Sequence, residues 1–111
     1  YVGVEQAFFA KNARSALVLG QARGAVVCAV LSKPVELIEL APTEVKRMLT
    51  GHGHAEKADV QKMVGMLLGQ RAFASPDESD ALGIAYATAL SVLAHRQFYA
   101  HIRYLTMAVS Y

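Results

Sequence analysis

The first forty residues read as strand, long helix, strand, and that order constrains the fold more than any other feature of the chain. Residues 1–8 are rich in valine and aromatic side chains, which favours a strand. Asn12 can cap a helix that runs to about Leu31, where Lys33-Pro34 closes it. Residues 35–40 form a second strand. A strand, a crossover helix and a strand make a right-handed unit with parallel strands, so the fold class is α/β. Helices follow. Pro42 suits the first turn of a short helix reaching about Leu49. Gly51-His52-Gly53-His54 is a connector, and residues 55–68 form a helix with Val60, Met63, Val64, Leu67 and Leu68 inward. Ser75-Pro76-Asp77-Glu78 is a strong helix start, with Ser75 as cap and Glu78 completing a capping box. That last helix continues at least to His95, and residues 97–111 are apolar and aromatic without a clean period.

Composition sets the outer bounds. With 111 residues the chain is one domain, and 54% hydrophobic against 18% charged residues excludes a disordered polymer. The lone cysteine, Cys28, excludes an internal disulfide and reads as a small buried side chain in a reducing, cytoplasmic setting. A formal charge of +2 permits a polyanionic partner without demanding one. No basic and apolar leader precedes the first strand. Residues 81–94, free of charged side chains and His, fall short of the ~20 residues of a membrane span, so no membrane association is expected. The chain opens on Tyr1 rather than Met, already inside a strand pattern, which raises the expectation of a fragment.

Within the long helix Ala16, Gly20, Gly24 and Cys28 recur every four residues and form a seam of small side chains. Glycine in a helix interior costs about 1 kcal/mol relative to alanine, so two of them point to a close packing contact. Leu19, Val26, Val27 and Val30 give the same helix a bulkier face, expected to meet the core.

Three carboxylates carry the chemical interest. Glu5 lies in the first strand, where burial is costly unless the charge is solvated, paired or bound to a cation. Asp77 and Asp80 lie three apart in the first turn of the last helix, on one face and near its positive dipole end. On the helix alone, Asp77 and Glu78 are capping residues and Asp80 a solvated surface residue. Together with Glu5 they suggest a self-repelling cluster that calls for a hard cation such as Mg²⁺. His52 and His54 lack the further ligands of a closed metal site, and phosphate contact at the following helix start is the better use for them.

The chain resembles the RuvC family of bacterial Holliday-junction resolvases. The resemblance rests on Glu5-Gln6-Ala7-Phe8-Phe9-Ala10-Lys11-Asn12, Ser15-Ala16-Leu17 and Leu19-Gly20-Gln21-Ala22-Arg23-Gly24. It continues through Ala41-Pro42-Thr43-Glu44-Val45-Lys46, Gly51-His52-Gly53-His54-Ala55-Glu56-Lys57 and Asp77-Glu78-Ser79-Asp80-Ala81-Leu82. These blocks span about residues 1–94 in the family's order. The resemblance implies a ribonuclease-H-like fold, present in part, and a homodimeric endonuclease that cuts four-way DNA junctions by Mg²⁺-dependent hydrolysis, with Mn²⁺ as the alternative ion. Metal ions can stabilise the attacking and leaving oxygens of an in-line displacement.

By the same resemblance Glu5, Asp77 and Asp80 are metal-binding catalytic positions. Lys46 and Lys57 contact DNA near the cut, Phe8 stacks on bases, and Lys11 and Asn12 meet phosphate. The helix bearing Ala16, Gly20 and Gly24 lies at the dimer interface, although its seam could equally pack on the sheet of one subunit. A branch-migration motor complex is a further partner the resemblance admits. The family begins with an Asp-bearing strand that has no counterpart here, so residues 1–94 are expected to form a nuclease domain lacking its first strands and residues 95–111 an unassigned apolar tail. Such a chain is expected to cut poorly on its own. A non-catalytic junction-binding or dimerisation module, and a fragment without independent function, stay open as alternatives.

Overall fold

The computed structural model describes the backbone of residues 1–6, 10–69 and 72–109, with side chains as far as residue 100. Strand β1 (Val2–Glu5) is followed by helix α1 (Ala13–Leu31), strand β2 (Leu37–Leu40), and helices α2 (Pro42–Thr50), α3 (Lys57–Leu68) and α4 (Pro76–Val109). β1 and β2 pair in parallel, with Val2 opposite Leu37 and Glu5 opposite Leu40. The expected crossover unit is therefore present, with strands shorter than the sequence pattern suggests.

Local chemistry fixes the helix ends. The Asn12 side chain accepts a hydrogen bond from the Ser15 N–H at 2.9 Å and opens α1. Pro42 occupies the start of α2, where the Glu44 carboxylate turns back to accept from the Ala41 N–H at 2.8 Å. Gly51 ends α2 at φ 90°, a left-handed conformation that suits glycine. Ser75 accepts from the Glu78 N–H at 3.2 Å and opens α4, as its sequence predicts.

The core lies where α2, α3 and α4 meet one another and the end of β2. Leu40, Val45, Leu49, Val64 and Ala87 are buried there, with Ile38, Val60, Met63, Phe73, Leu82, Ile84 and Tyr86 packed against them. Gly83 lets α4 come close, since a Cβ at that position would stand 3.1 Å from Leu49 Cδ1 and 3.3 Å from Val64 Cγ2. Leu67 and Leu68, expected inward, are exposed. The apolar stripe of α3 continues into its last turn, but the core beneath it does not.

Helix α1 departs most from expectation. None of its residues is buried, and Leu19 and Val26 are exposed while Val27 and Val30 are only half-covered. Cys28 is exposed rather than buried. A 19-residue helix is about 28 Å long, whereas four-residue strands extend about 13 Å, so the two-stranded sheet could cover only part of it. By length and composition α1 could cross a membrane, with a mean hydropathy of 1.3 over its most apolar window. Its Arg14 and Arg23 weigh against that placement, because charge in a bilayer is costly.

The tail resolves into helix. α4 runs without a break from Pro76 to Val109, so its backbone offers no boundary at residue 94. Phe98 and Tyr99 are exposed on it, and the His95 and Tyr99 rings stand 5.4 Å apart.

Candidate active site

Glu5 is the last residue of β1, and α4 passes beside it with Asp80 half-buried near its start. α2 and α3 each bring one lysine to the same place. Glu5, Asp80, Lys46 and Lys57 line a cavity of about 210 Å³, whose apolar walls come from Pro42, Val45, Leu49, Val60, Gly83 and Ile84. Four residues from four elements, far apart in sequence, thus converge on one apolar-walled hollow.

The electrostatics follow from that placement. Lys57 Nζ donates to Asp80 Oδ2 at 3.1 Å. Glu5 is exposed as a residue, but partial desolvation of its carboxyl pushes it above its usual range, the Asp80 charge adds to that, and Lys46 and Lys57 pull in the opposite direction. Two like charges held near each other under apolar walls are the arrangement a hard cation relieves. Glu5 and Asp80 fit such an ion as oxygen donors, and the lysines fit the phosphate oxygens beside it.

Asp77 stands apart. It is exposed in the first turn of α4 and does not line the cavity. Among the described residues no group of three His, Cys, Asp or Glu side chains is close enough to hold a metal. The expected three-carboxylate cluster is therefore a pair in this structure. At about 100° per residue, a three-residue step leaves Asp77 roughly 60° around α4 from Asp80 and most of a turn nearer the helix start, away from β1.

The remaining predicted positions among the described residues do not line that cavity. Lys11 and Asn12 are exposed at the N-terminus of α1, where the Asn12 carbonyl is engaged in capping. Phe8 lies outside the described residues. Ala16, Gly20 and Gly24 are exposed on α1, and among the described residues no atom lies within 4 Å of where a Cβ would stand at either glycine. Among those residues the seam does not pack on the sheet of its own chain. His52 and His54 are exposed on the connector between α2 and α3.

Arg23 is the contributor that sequence reasoning missed. Its Nη1 donates to the Glu5 main-chain carbonyl at 3.0 Å, and its Nη2 pairs with the Glu39 carboxylate. It ties α1 to the end of β1 and to β2. No local pattern marks it, since its partners lie 18 and 16 residues away. A second cavity, of about 380 Å³, opens beside Tyr1, Glu39, His95 and Arg96. Two of its charged groups are already engaged, Glu39 by Arg23 and Arg96 by the Tyr1 ring and hydroxyl.

The family model for Crossover junction endodeoxyribonuclease RuvC matches residues 1–88. The chain belongs to the RuvC family. RuvC of Methylococcus capsulatus is 50% identical over 96 residues, covering 86% of this chain and 56% of that protein. RuvC of Xanthomonas oryzae pv. oryzae is 49% identical over 84 residues, covering 76% and 48%. Among solved structures, Thermus thermophilus RuvC superposes with a TM-score of 0.68 at 37% identity, covering 90% of this chain and 56% of that one. The same protein in complex with Holliday junction substrate gives a TM-score of 0.73, covering 81% and 55%. The chain thus carries part of the RuvC fold and spans about half the length of the curated relatives it matches.

Proposed function

We propose that this protein is a structure-specific endonuclease that resolves four-way DNA junctions by metal-dependent phosphodiester hydrolysis. The observation that carries the proposal is the convergence of Glu5 and Asp80 with Lys46 and Lys57 on one cavity, in a chain of the RuvC family. Support for the substrate comes from the Thermus thermophilus relative, solved in complex with Holliday junction substrate.

Glu5 and Asp80 would hold a divalent cation, Mg²⁺ or Mn²⁺. When bound, that ion supplies charge stabilisation at the scissile phosphate and acidifies water. Asp77 is a third acidic position by resemblance and sits outside the cavity. Lys57 is paired with Asp80 in the free protein. A cation taking that carboxylate would release the ammonium to a phosphate oxygen of the substrate. Lys46, half-buried on α2, flanks the same phosphate. Lys11, Asn12 and Phe8 would extend DNA contact past the start of α1.

Junction resolution requires two matched cuts, which a two-fold dimer supplies. The uncovered seam of α1 (Ala16, Gly20, Gly24) is the surface proposed to meet a second copy. Residues 1–94 are taken as the nuclease part and residues 95–111 as an apolar tail without an assigned role, helical as far as Val109. Acting on chromosomal DNA places the protein in the bacterial cytoplasm.

The test is a nicking assay on a synthetic four-way junction, with a linear duplex of the same sequence alongside. Symmetric, Mg²⁺-dependent cuts in the junction and none in the duplex are expected of a full-length RuvC-family protein carrying these residues, with residues 1–111 alone cutting poorly. Junction binding without divalent-dependent cutting would replace the nuclease by a binding module.

A further inference from the structure

Glu5 and Asp80 meet only because β1 and α4 run unusually close, and the residue that permits the approach is Gly3. On a strand, residues two apart face the same side, so Gly3 and Glu5 both face α4. On a helix, residues four apart form a row, and Thr88, Ile84 and Asp80 form that row on α4. The two series run alongside each other. A Cβ at Gly3 would stand 1.8 Å from Thr88 Oγ1, 3.0 Å from Thr88 Cβ and 3.2 Å from Ile84 Cγ2. Ile84 in turn lines the cavity with Glu5 and Asp80.

The contact has little room to yield. Thr88 is buried, at 5% exposure, and its hydroxyl is anchored by donating to the Ile84 carbonyl at 2.7 Å. Turning the side chain does not move Thr88 Cβ, which would still stand 3.0 Å from the new atom. The neighbouring Ala87 is fully buried in the core, so α4 cannot slide away without disturbing α2 and α3.

We infer that Gly3 and Thr88 are positioning residues: by meeting without an intervening side chain, they set the spacing of β1 and α4 and hold the Glu5 and Asp80 carboxylates in one cavity. Its functional side rests on the metal-dependent reading above, while its geometric side does not. Any side chain at Gly3 pushes α4 outward, and the displacement is carried along the row to Asp80.

The experiment reads the spacing and the metal dependence separately. Crystal structures of the intact native protein and Gly3→Ala are compared, and Gly3→Ala should show α4 displaced from β1 and the Glu5 and Asp80 carboxylates further apart. The same variant should raise the Mg²⁺ concentration for half-maximal junction cutting roughly tenfold, as supporting residues of metal sites do. Thr88→Gly in the same chain removes both Thr88 contacts and should return both readouts toward their native values. A Gly3→Ala protein with native spacing of β1 and α4 and native Mg²⁺ dependence would overturn the inference. If Gly3→Ala does not fold, folding of the double variant supports the contact, and failure of both overturns it. If the native protein neither binds Mg²⁺ nor cuts, while Gly3→Ala still widens the spacing, the positioning contact stands and the metal reading falls.

Discussion

Glu5 bears opposing demands, and its titration exposes them. Its carboxyl is held above the ordinary range by burial and by Asp80. A carboxyl raised in the folded state stabilises the fold below its unfolded value near 4.5, and that contribution is lost as pH rises through the folded value. Ionised Glu5 is thus a liability at neutral pH without metal. Glu5→Gln should raise the metal-free melting temperature at pH 7 and leave it nearly unchanged at pH 3, as followed by circular dichroism. Mg²⁺ should raise the melting temperature of the native protein and have a much smaller effect on Glu5→Gln. The Lys57–Asp80 pair is largely solvent-exposed, so Lys57→Met should change stability by less than about 1 kcal/mol. Its effect belongs to catalysis: cutting should fall by at least roughly tenfold if the ammonium stabilises charge in the transition state. Single-turnover rates at saturating protein separate that loss from weaker binding.

At the scale of elements, α2, α3 and α4 carry both the core and the cavity residues, while the surface proposed to meet a second copy lies on α1. Leu49, at 5% exposure, plugs the meeting point of α2, α3 and α4. Leu49→Ala should destabilise the protein by about 3 kcal/mol, as buried leucine truncations do, measurable by urea denaturation. Gly20→Leu on α1 should raise that stability by up to about 1 kcal/mol, the helix-propensity gain over glycine, because nothing stands near the site among the described residues. In sedimentation it should convert a dimer to a monomer if the seam meets a second copy. Helix starts were legible in the sequence because their chemistry is local: Asn12, Pro42 and Ser75 each act within three residues. The inward face assigned to α1 was not legible. Period shows that Leu19 and Val26 share an apolar helix, but not whether a surface lies beneath them. Leu67 and Leu68 fail for the same reason, since the stripe on α3 outruns the core it serves. The carboxylate pair was half legible. Asp80 lines one cavity with Glu5, but the turn that separates Asp77 from it depends on how α4 crosses β1, which spacing does not encode.

For the whole molecule, four elements deliver an acid–base set to one hollow while the longest exposed apolar helix is left open. That division matches a protein that completes itself on partners: a cation and DNA at the cavity, and a second copy at α1. Lysines reaching phosphate predict junction affinity that falls steeply and log-linearly with added salt, with Lys46→Ala lowering the slope by about one. Fluorescence anisotropy on a labelled junction reads both. The central claim is that Glu5 and Asp80 hold the metal that cuts, and not the DNA. Its most direct measurement compares native protein, Glu5→Gln and Asp80→Asn on one labelled four-way junction, recording binding in Ca²⁺ and cutting in Mg²⁺. Both variants should bind the junction within a few-fold of the native protein and show no cutting above background. Native-level cutting by either variant would contradict the account.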